Sequence, residues 1–311
     1  MYKEKKIIVV SPVGRTRSLK SLFKSIDKHR HVVDEYHLWV NTNVKEDLDF
    51  INSYASNNLN FVKLKYGCTE LDKTQFTKAD NVKHFYNYCV EKDTFYFKID
   101  DDIVYIEPGM FEKLAQYKLD HPETFLVYPT ILNNHWCTHF LRKKNKIDVP
   151  VCNQCDVNWY NEYNRVKNTI INSEKVMSLN YHEGKPKDFM NESVFLSPLY
   201  WNDASFAEKL LKMSLNYIKT NTLSLLSFES IQLTSHEPVS INCIMFSGDD
   251  FEKFNGNVRC FCDEPWLTTF YPLQSNKTNV IVGDTRCVHY AYYPQRDHLN
   301  STNLLEEYFD I

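Results

Sequence analysis

Glycine is scarce in this chain, with seven among 311 residues. That scarcity argues against a glycine-rich phosphate loop, which needs several positions without a Cβ so that backbone N–H groups can close on an anion. Basic charge is not in excess: 36 Lys and Arg stand against 40 Asp and Glu, for a net charge of -4. Non-specific nucleic-acid binding therefore has no electrostatic support, and an anionic ligand must be met by local cations. Long apolar runs are also missing. After Met1-Tyr2-Lys3-Glu4-Lys5-Lys6, the stretch Ile7 to Val10 is far shorter than a signal-peptide core or a membrane span, and no later segment approaches such a length. The expectation is a cytoplasmic protein with no membrane span and no nucleic-acid partner. An even set of cysteines is lacking too: nine leaves at least one unpaired, which suits a reducing compartment better than a disulfide scaffold. The sequons at Asn191, Asn276 and Asn300 are then chance. Cys152-x-x-Cys155 and Cys260-x-Cys262 could offer thiolates to zinc, but the second spacing is too short for a zinc knuckle, so free, partly buried thiols are expected.

What is present is ample core material, 43% hydrophobic and 14% aromatic residues, with no repeats or low-complexity tracts. The length allows one large domain or two modest ones, and a single compact unit is expected. Residues 1–132 alternate strand-like and helix-like patterns. Lys6 to Ser11 reads as a buried strand, Thr16 to His29 as a helix with Leu19, Leu22, Phe23 and Ile26 on one face, and Glu35 to Asn41 as a second strand. Glu46 to Ser56 gives a helix, Asn60 to Lys65 a strand, Lys78 to Cys89 a helix, and Thr94 to Ile99 a strongly β-forming strand. Pro108 to Lys118 reads as a helix and Thr124 to Ile131 as a strand. Such alternation predicts an α/β fold with a mostly parallel central sheet flanked by helices, whose ligands sit at the carboxyl ends of the strands. In residues 133–311 the pattern is looser: a polar, aromatic excursion from Asn133 to about Phe189, a helix from Trp201 to Lys219, a strand from Val239 to Phe246, a helix starting at Asp263, and a strand pair over Asn279 to Tyr290.

The strongest chemical feature is Asp100-Asp101-Asp102, placed directly after the apolar run Thr94 to Ile99 and before Ile103-Val104-Tyr105. Three adjacent carboxylates repel one another, and a cation relieves them. Hard oxygen ligands suit Mg²⁺ or Mn²⁺. In an extended segment alternate side chains share a side, so Asp100 and Asp102 are expected to face one cavity while Asp101 points elsewhere.

This segment resembles the Asp-x-Asp signature of GT-A glycosyltransferases, and its surroundings from Asp93 to Ile106 are similar to a subset found in fungi and in large DNA viruses of algae. Ser11-Pro12-Val13-Gly14-Arg15, Leu38-Trp39-Val40-Asn41-Thr42, Lys78-Ala79-Asp80-Asn81 and Val288-His289-Tyr290-Ala291-Tyr292-Tyr293-Pro294-Gln295-Arg296 carry the same resemblance, which is weakest from Asn133 to Val239. It implies a GT-A, Rossmann-like single large domain. Residues 1–132 would be its donor-binding half, and residues 133–311 the acceptor-binding and catalytic half. It implies that Asp100 and Asp101 lie against the nucleotide sugar, that Asp100, Asp102 and His289 hold Mn²⁺ or Mg²⁺, and that Pro12, Asn41 and Asn81 line the donor. Arg15, Lys78 and Arg296 would meet the diphosphate. A viral relative would act in the host cytoplasm.

Activation of an acceptor hydroxyl requires a carboxylate base if the sugar's configuration inverts. Asp263-Glu264-Pro265 resembles the acidic pair at a helix start that holds this base in many GT-A enzymes, although Asp before Pro also serves simply as a helix cap. Asp249, after Gly248, is the other candidate. Trp201, Trp266, Tyr292 and the pair Trp159-Tyr160 are possible sugar-stacking platforms, of which Trp266 and Tyr292 are expected to line the site. The leading expectation is a metal-dependent glycosyltransferase moving a sugar from a nucleotide-sugar donor, UDP-linked by preference, to a glycan or glycoprotein acceptor. The alternatives are a sugar nucleotidyltransferase, which the single glycine between Pro12 and Arg17 fits poorly, and an inactive carbohydrate-binding relative.

Overall fold

The computed structural model describes residues 1–66, 83–149, 198–233, 239–258 and 263–311. Among the described residues nine strands form one sheet: β1 (Lys6–Val13), β2 (Glu35–Val40), β3 (Val62–Lys65), β4 (Thr94–Ile99), β5 (Ile103–Ile106), β6 (Thr124–Leu132), β7 (Ile231–Leu233), β8 (Cys243–Ser247) and β9 (Thr278–His289). Their order is β3-β2-β1-β4-β8-β6-β9-β5, with β7 pairing β9. The pairings β1–β2, β1–β4, β2–β3 and β6–β9 are parallel, and β4–β8, β6–β8, β5–β9 and β7–β9 antiparallel. Thus β1, β2, β3, β4, β6 and β9 run one way, and β5, β7 and β8 the other. The fold is α/β with a mostly parallel sheet, as the alternation of patterns predicts.

The central strands are apolar without alternation because helices cover the sheet; every residue of β4 and of β6 is buried. Helix α1 (Thr16–Asp27) buries Leu19, Leu22, Phe23 and Ile26, the apolar face visible in the sequence. Helices α2 (Lys45–Ser56) and α3 (Met110–Asp120) follow β2 and β5. A second, smaller core joins Val104, Leu132 and Val288 to Phe206, Leu210 and Leu211 of helix α4 (Ala204–Lys219) and to the final helix α5 (Leu304–Phe309).

Several elements differ from the sequence expectation. Asn279 to Tyr290 is one long strand, not a pair: Gly283-Asp284 forms an irregularity at which β9 slips its register against β6, between Pro129 and Thr130. The polar stretch after Asn133 opens with a helix, His135–Lys143, because the Asn134 side chain accepts from the N–H groups of Trp136 and Cys137. Of the expected helix Lys78 to Cys89, the described part is a tighter 3₁₀ stretch, Lys83–Tyr88. The strand expected from Val239 begins at Cys243, and the helix expected at Asp263 is a short turn leading into a wider π turn, Trp266–Phe270. Lys78, Asn81, Trp159-Tyr160, Asn191 and the Cys152/Cys155 and Cys260/Cys262 pairs lie outside the described residues. Among the described residues Cys89, Cys137, Cys243 and Cys287 are free and buried, and no helix is long and apolar enough to cross a membrane.

Because β1, β2, β4, β6 and β9 are co-directional, their carboxyl ends fall on one edge. Gly14-Arg15, Asn41, Asp100 to Asp102, Asn133 and His289 therefore meet there, with Asn242 entering β8 at the same edge.

Candidate functional site

The triad is a turn, not a continued strand. Ile103 N–H donates to Asp100 O at 3.1 Å, closing a four-residue turn that reverses the chain from β4 into β5. Asn242 O receives the Asp100 N–H at 2.8 Å, and Asp102 O receives the Tyr290 N–H at 2.8 Å, so both ends of the turn are pinned to neighbouring segments. This corrects the expectation drawn from alternation, because the two-residue period of a strand does not apply inside a turn. Asp101 and Asp102 share a partner, and Asp100 points elsewhere.

Arg15 bridges them. Its Nη2 donates to Asp101 Oδ1, and its Nη1 lies 3.0 Å from Asp102 Oδ2. Gly14 N–H completes the shell of Asp101 at 3.1 Å. Arg296 Nη2 stands 3.5 Å from Asp102 Oδ2, and His289 Nε2 is 3.6 Å from Asp102 Oδ1. Burial alone would raise the Asp102 carboxyl, but Arg15, His289 and Arg296 together hold it well below the usual carboxylate range. Asp102 is thus a carboxylate, buried and electrostatically saturated. Burial works against the charge on Arg15 as well, and Asp102 and Asp101 more than restore it.

Asp100 belongs to a second cluster. Lys98, wholly buried in β4, sits 2.6 Å from Asp100 Oδ1 and donates to Ile241 O at 2.7 Å. Asn242 Nδ2 approaches Asp100 Oδ2 at 3.4 Å. The charges of Asp263 and Glu264 reach the same ammonium. Burial pushes the Glu264 carboxyl up to about 7, with neighbouring Asp263 adding to the rise, while the Ser240 hydroxyl, Lys98 and main-chain Ile241 restrain it. Asp263 accepts from the buried Tyr86 hydroxyl at 3.1 Å. The acidic pair of the second half is therefore brought to the triad, through Lys98.

Pro12 and Asn41 lie at the same sheet edge: Pro12 pairs with Trp39 in register, and Asn41 N–H donates to Val13 O at 2.8 Å. Asp249 does not join the group. Ser247 pairs with Phe95 at the amino end of β4, so Asp249, just beyond it, lies at the opposite end of the strand from Asp100, bonded to Asp93 N–H and Ser247. Trp266 is only 2% exposed and packs in the main core, so it offers no face to a sugar. Tyr292 is buried beside His289, their rings 4.6 Å apart and edge-on.

A cleft of about 260 Å³ opens between the start of α1 and the last turns, lined by Arg15, Thr16, Asp47, Asp102, Tyr290 and Arg296. Two buried polar atoms at this cleft, Thr16 Oγ1 and Arg296 Nε, have no hydrogen-bond partner among the described residues. Such groups suit an oxygen-rich ligand. For a divalent cation, His289 and Asp102 are a fitting pair. Nδ1 of His289 faces Asn133 O at 3.1 Å and Nε2 faces the Asp102 carboxylate at 3.6 Å, so Nε2 is the nitrogen that a cation bound to Asp102 would meet. An imidazole and a carboxylate 3.6 Å apart are of the ligand types that Mn²⁺ accepts. Asp100, committed to Lys98, is not the third member of that set. Among the described residues no cluster of three His, Cys, Asp or Glu side chains closes on one point.

Sequence reasoning missed Lys98, Asn242, Ser240 and the Gly14 N–H. Only Lys98 left a signal: a single lysine in an otherwise apolar strand, two residues before Asp100.

No protein-family model and no curated protein matches this chain. Solved structures similar to part of it include glucosyl-3-phosphoglycerate synthase from Mycobacterium tuberculosis, at 18% identity and a TM-score of 0.31, over 41% of this chain and 44% of that one. Mannosyl-3-phosphoglycerate synthase from Rubrobacter xylanophilus aligns at 12% identity and 0.32, over 41% and 40%. CMP:2-keto-3-deoxy-manno-octonic acid synthetase aligns at 14% and 0.28, over 40% and 52%. Each alignment thus spans about half of the solved chain or less, and likeness of this extent assigns no activity.

Proposed function

We propose that this chain is a metal-dependent glycosyltransferase that takes a sugar from a nucleotide diphosphate donor, UDP-linked by preference, and passes it to a glycan or glycoprotein hydroxyl with inversion. The observation that carries this reading is the meeting, at one sheet edge, of an Asp102–His289 pair, two arginines on the same carboxylate, and a carboxylic acid poised near neutrality.

Each group has a task. Asp102 and His289 would hold the cation, the remaining ligands coming from diphosphate oxygens and water. That ion, when bound, neutralises charge developing on the departing nucleoside diphosphate. Arg15 and Arg296 lie within reach of the same oxygens, and their forked guanidiniums match phosphate geometry. Asp101 aims Arg15 through its ion pair and fixes the loop through the Gly14 N–H. Glu264 is the base: with a carboxyl near 7 it is half ionised at neutral pH and strong enough to take the acceptor's proton as the oxygen attacks. Asp263, tied to Tyr86, serves to hold Glu264's pKa up.

Calorimetric titration with UDP, GDP and a panel of nucleotide sugars, with and without Mn²⁺, tests the reading on wild type and Asp102→Ala. One nucleotide is expected to bind only with metal and to lose at least about tenfold in affinity in the variant, the size of effect that loss of an ion-ligating carboxylate produces. If no nucleotide binds under any condition, the reading is wrong.

A further inference from the structure

Four of the five tryptophans lie among the described residues, and three of them are core: Trp39, Trp136 and Trp266 are 3%, 6% and 2% exposed. Trp201 is 37% exposed. A single exposed aromatic needs no explanation by itself. This one is the outer member of a stack that runs inward to the proposed metal pair. Its ring lies 4.2 Å from that of Tyr292 at 32°, and Tyr292 meets His289 edge-on at 4.6 Å. His135 supports the stack from the side, its ring 6.4 Å from Trp201 and its Nδ1 3.1 Å from the Tyr292 hydroxyl.

The mounting is hydrogen-bonded. Gln295 donates from Nε2 to Tyr200 O at 3.0 Å, and its Oε1 accepts from Tyr292 N–H and from Asn133 Nδ2 at 3.0 and 3.3 Å. One buried amide thus fastens the Trp201 turn, the Tyr292 turn and the residue that bonds His289. Side-chain hydrogen bonds of Ser240 reach both the Tyr292 hydroxyl and Glu264. The stack is therefore coupled to the carboxylate proposed as base, whereas Arg15 and Arg296 are both engaged on Asp102.

We infer that Trp201, backed by Tyr292, is the platform on which the acceptor saccharide lays the C–H face of a pyranose ring, presenting its hydroxyl toward Glu264. This rests on the glycosyltransferase reading for the word acceptor, but the platform itself requires only that a saccharide binds here. A pyranose ring is amphipathic, with axial C–H bonds on a face and hydroxyls at the rim. An exposed indole with a fixed plane takes the face and leaves the rim to polar neighbours. Stacking of this kind tolerates many sugars, so simple pyranosides serve as probes.

The experiment uses methyl β-glucoside, methyl β-galactoside, methyl α-mannoside and cellobiose, added without nucleotide or metal, and reads saturation-transfer NMR on the sugar with intrinsic tryptophan fluorescence on the protein. At least one sugar is expected to bind with saturable fluorescence change. Trp201→Ala should weaken it about tenfold, the order expected when a stacking aromatic face is removed from a binding site. Trp201→Phe should retain most of the sugar binding seen by NMR while losing the fluorescence response, which a purely structural role would not produce. Affinity for the nucleotide with Mn²⁺ should be unchanged in both variants. If no sugar binds at high millimolar concentration, or if Trp201→Ala binds as wild type does, the platform is refuted even where nucleotide binding stands. Sugar binding that depends on Trp201 in a protein with no nucleotide affinity would uphold the platform and overturn the transferase reading.

Discussion

Glu264 and Asp263 are adjacent acids with different surroundings, and on the proposed reading the difference separates their roles. Burial and the Asp263 charge lift the Glu264 carboxyl to about 7 from an ordinary 4.5, so the turnover rate should climb with pH to a plateau above about 7. Glu264→Gln should cost two to four orders of magnitude in kcat, roughly what loss of a general base costs, and erase that limb of the pH profile. Stability should move the other way. A carboxyl whose folded value is raised favours the folded state while protonated; that contribution is full below about 4.5 and is lost as pH rises through about 7. Glu264→Gln should therefore raise Tm relative to wild type at pH 8 and do so much less at pH 5. A variant that kept wild-type kcat would move the base elsewhere. Residues of this kind were legible where charges stand together in sequence, as in the triad and the Asp263-Glu264 pair, whereas Arg15, His289 and Arg296 were singled out by the resemblance of their surrounding segments. Lys98 was not, because a lysine inside an apolar strand reads as a strand-edge charge until a sheet neighbour supplies the carboxylates, and Ser240 and Asn242 carry no signal in the chain itself.

At the scale of elements, the helices and strands with one clear face were readable, and irregular joints were not. The Asp100–Ile103 turn looked like extended chain because apolar residues flank it on both sides. The stretch Asn279 to Tyr290 was expected as a strand pair and is instead one strand with a slip at Gly283-Asp284. The reason lies across the sheet: Phe228 N–H donates to Gly283 O at 3.1 Å, and a Cβ on Gly283 would come within 2.2 Å of Phe228 O. No local sequence pattern reports such an approach. Gly283→Ala should cost about 1–3 kcal/mol, as overpacking does, measured by denaturant unfolding. An unchanged midpoint would mean that the Ser227-Phe228 segment moves aside freely. Because β9 leads directly to His289, the same variant probes how firmly the strand holds that imidazole.

For the molecule as a whole, the acidic edge is neutralised from within. Arg15, Arg296 and Lys98 each ion-pair with the triad, so the fold does not depend on a metal to restrain three neighbouring carboxylates. Chelation by EDTA should leave Tm unchanged, whereas Mn²⁺ with the binding nucleotide at a hundred times its Kd should stabilise by about 2.7 kcal/mol. A fall in Tm on chelation alone would show a structural ion instead. The Arg15 fork has a further consequence. It already occupies both Asp101 and Asp102, so anything that claims Asp102 must also give the guanidinium somewhere else to go. A neutral sugar offers it nothing, and a bare cation repels it. A diphosphate does offer it new oxygens, so on the proposed reading the side chain would act as a customs gate, opening only to a visitor carrying both signs of charge at once.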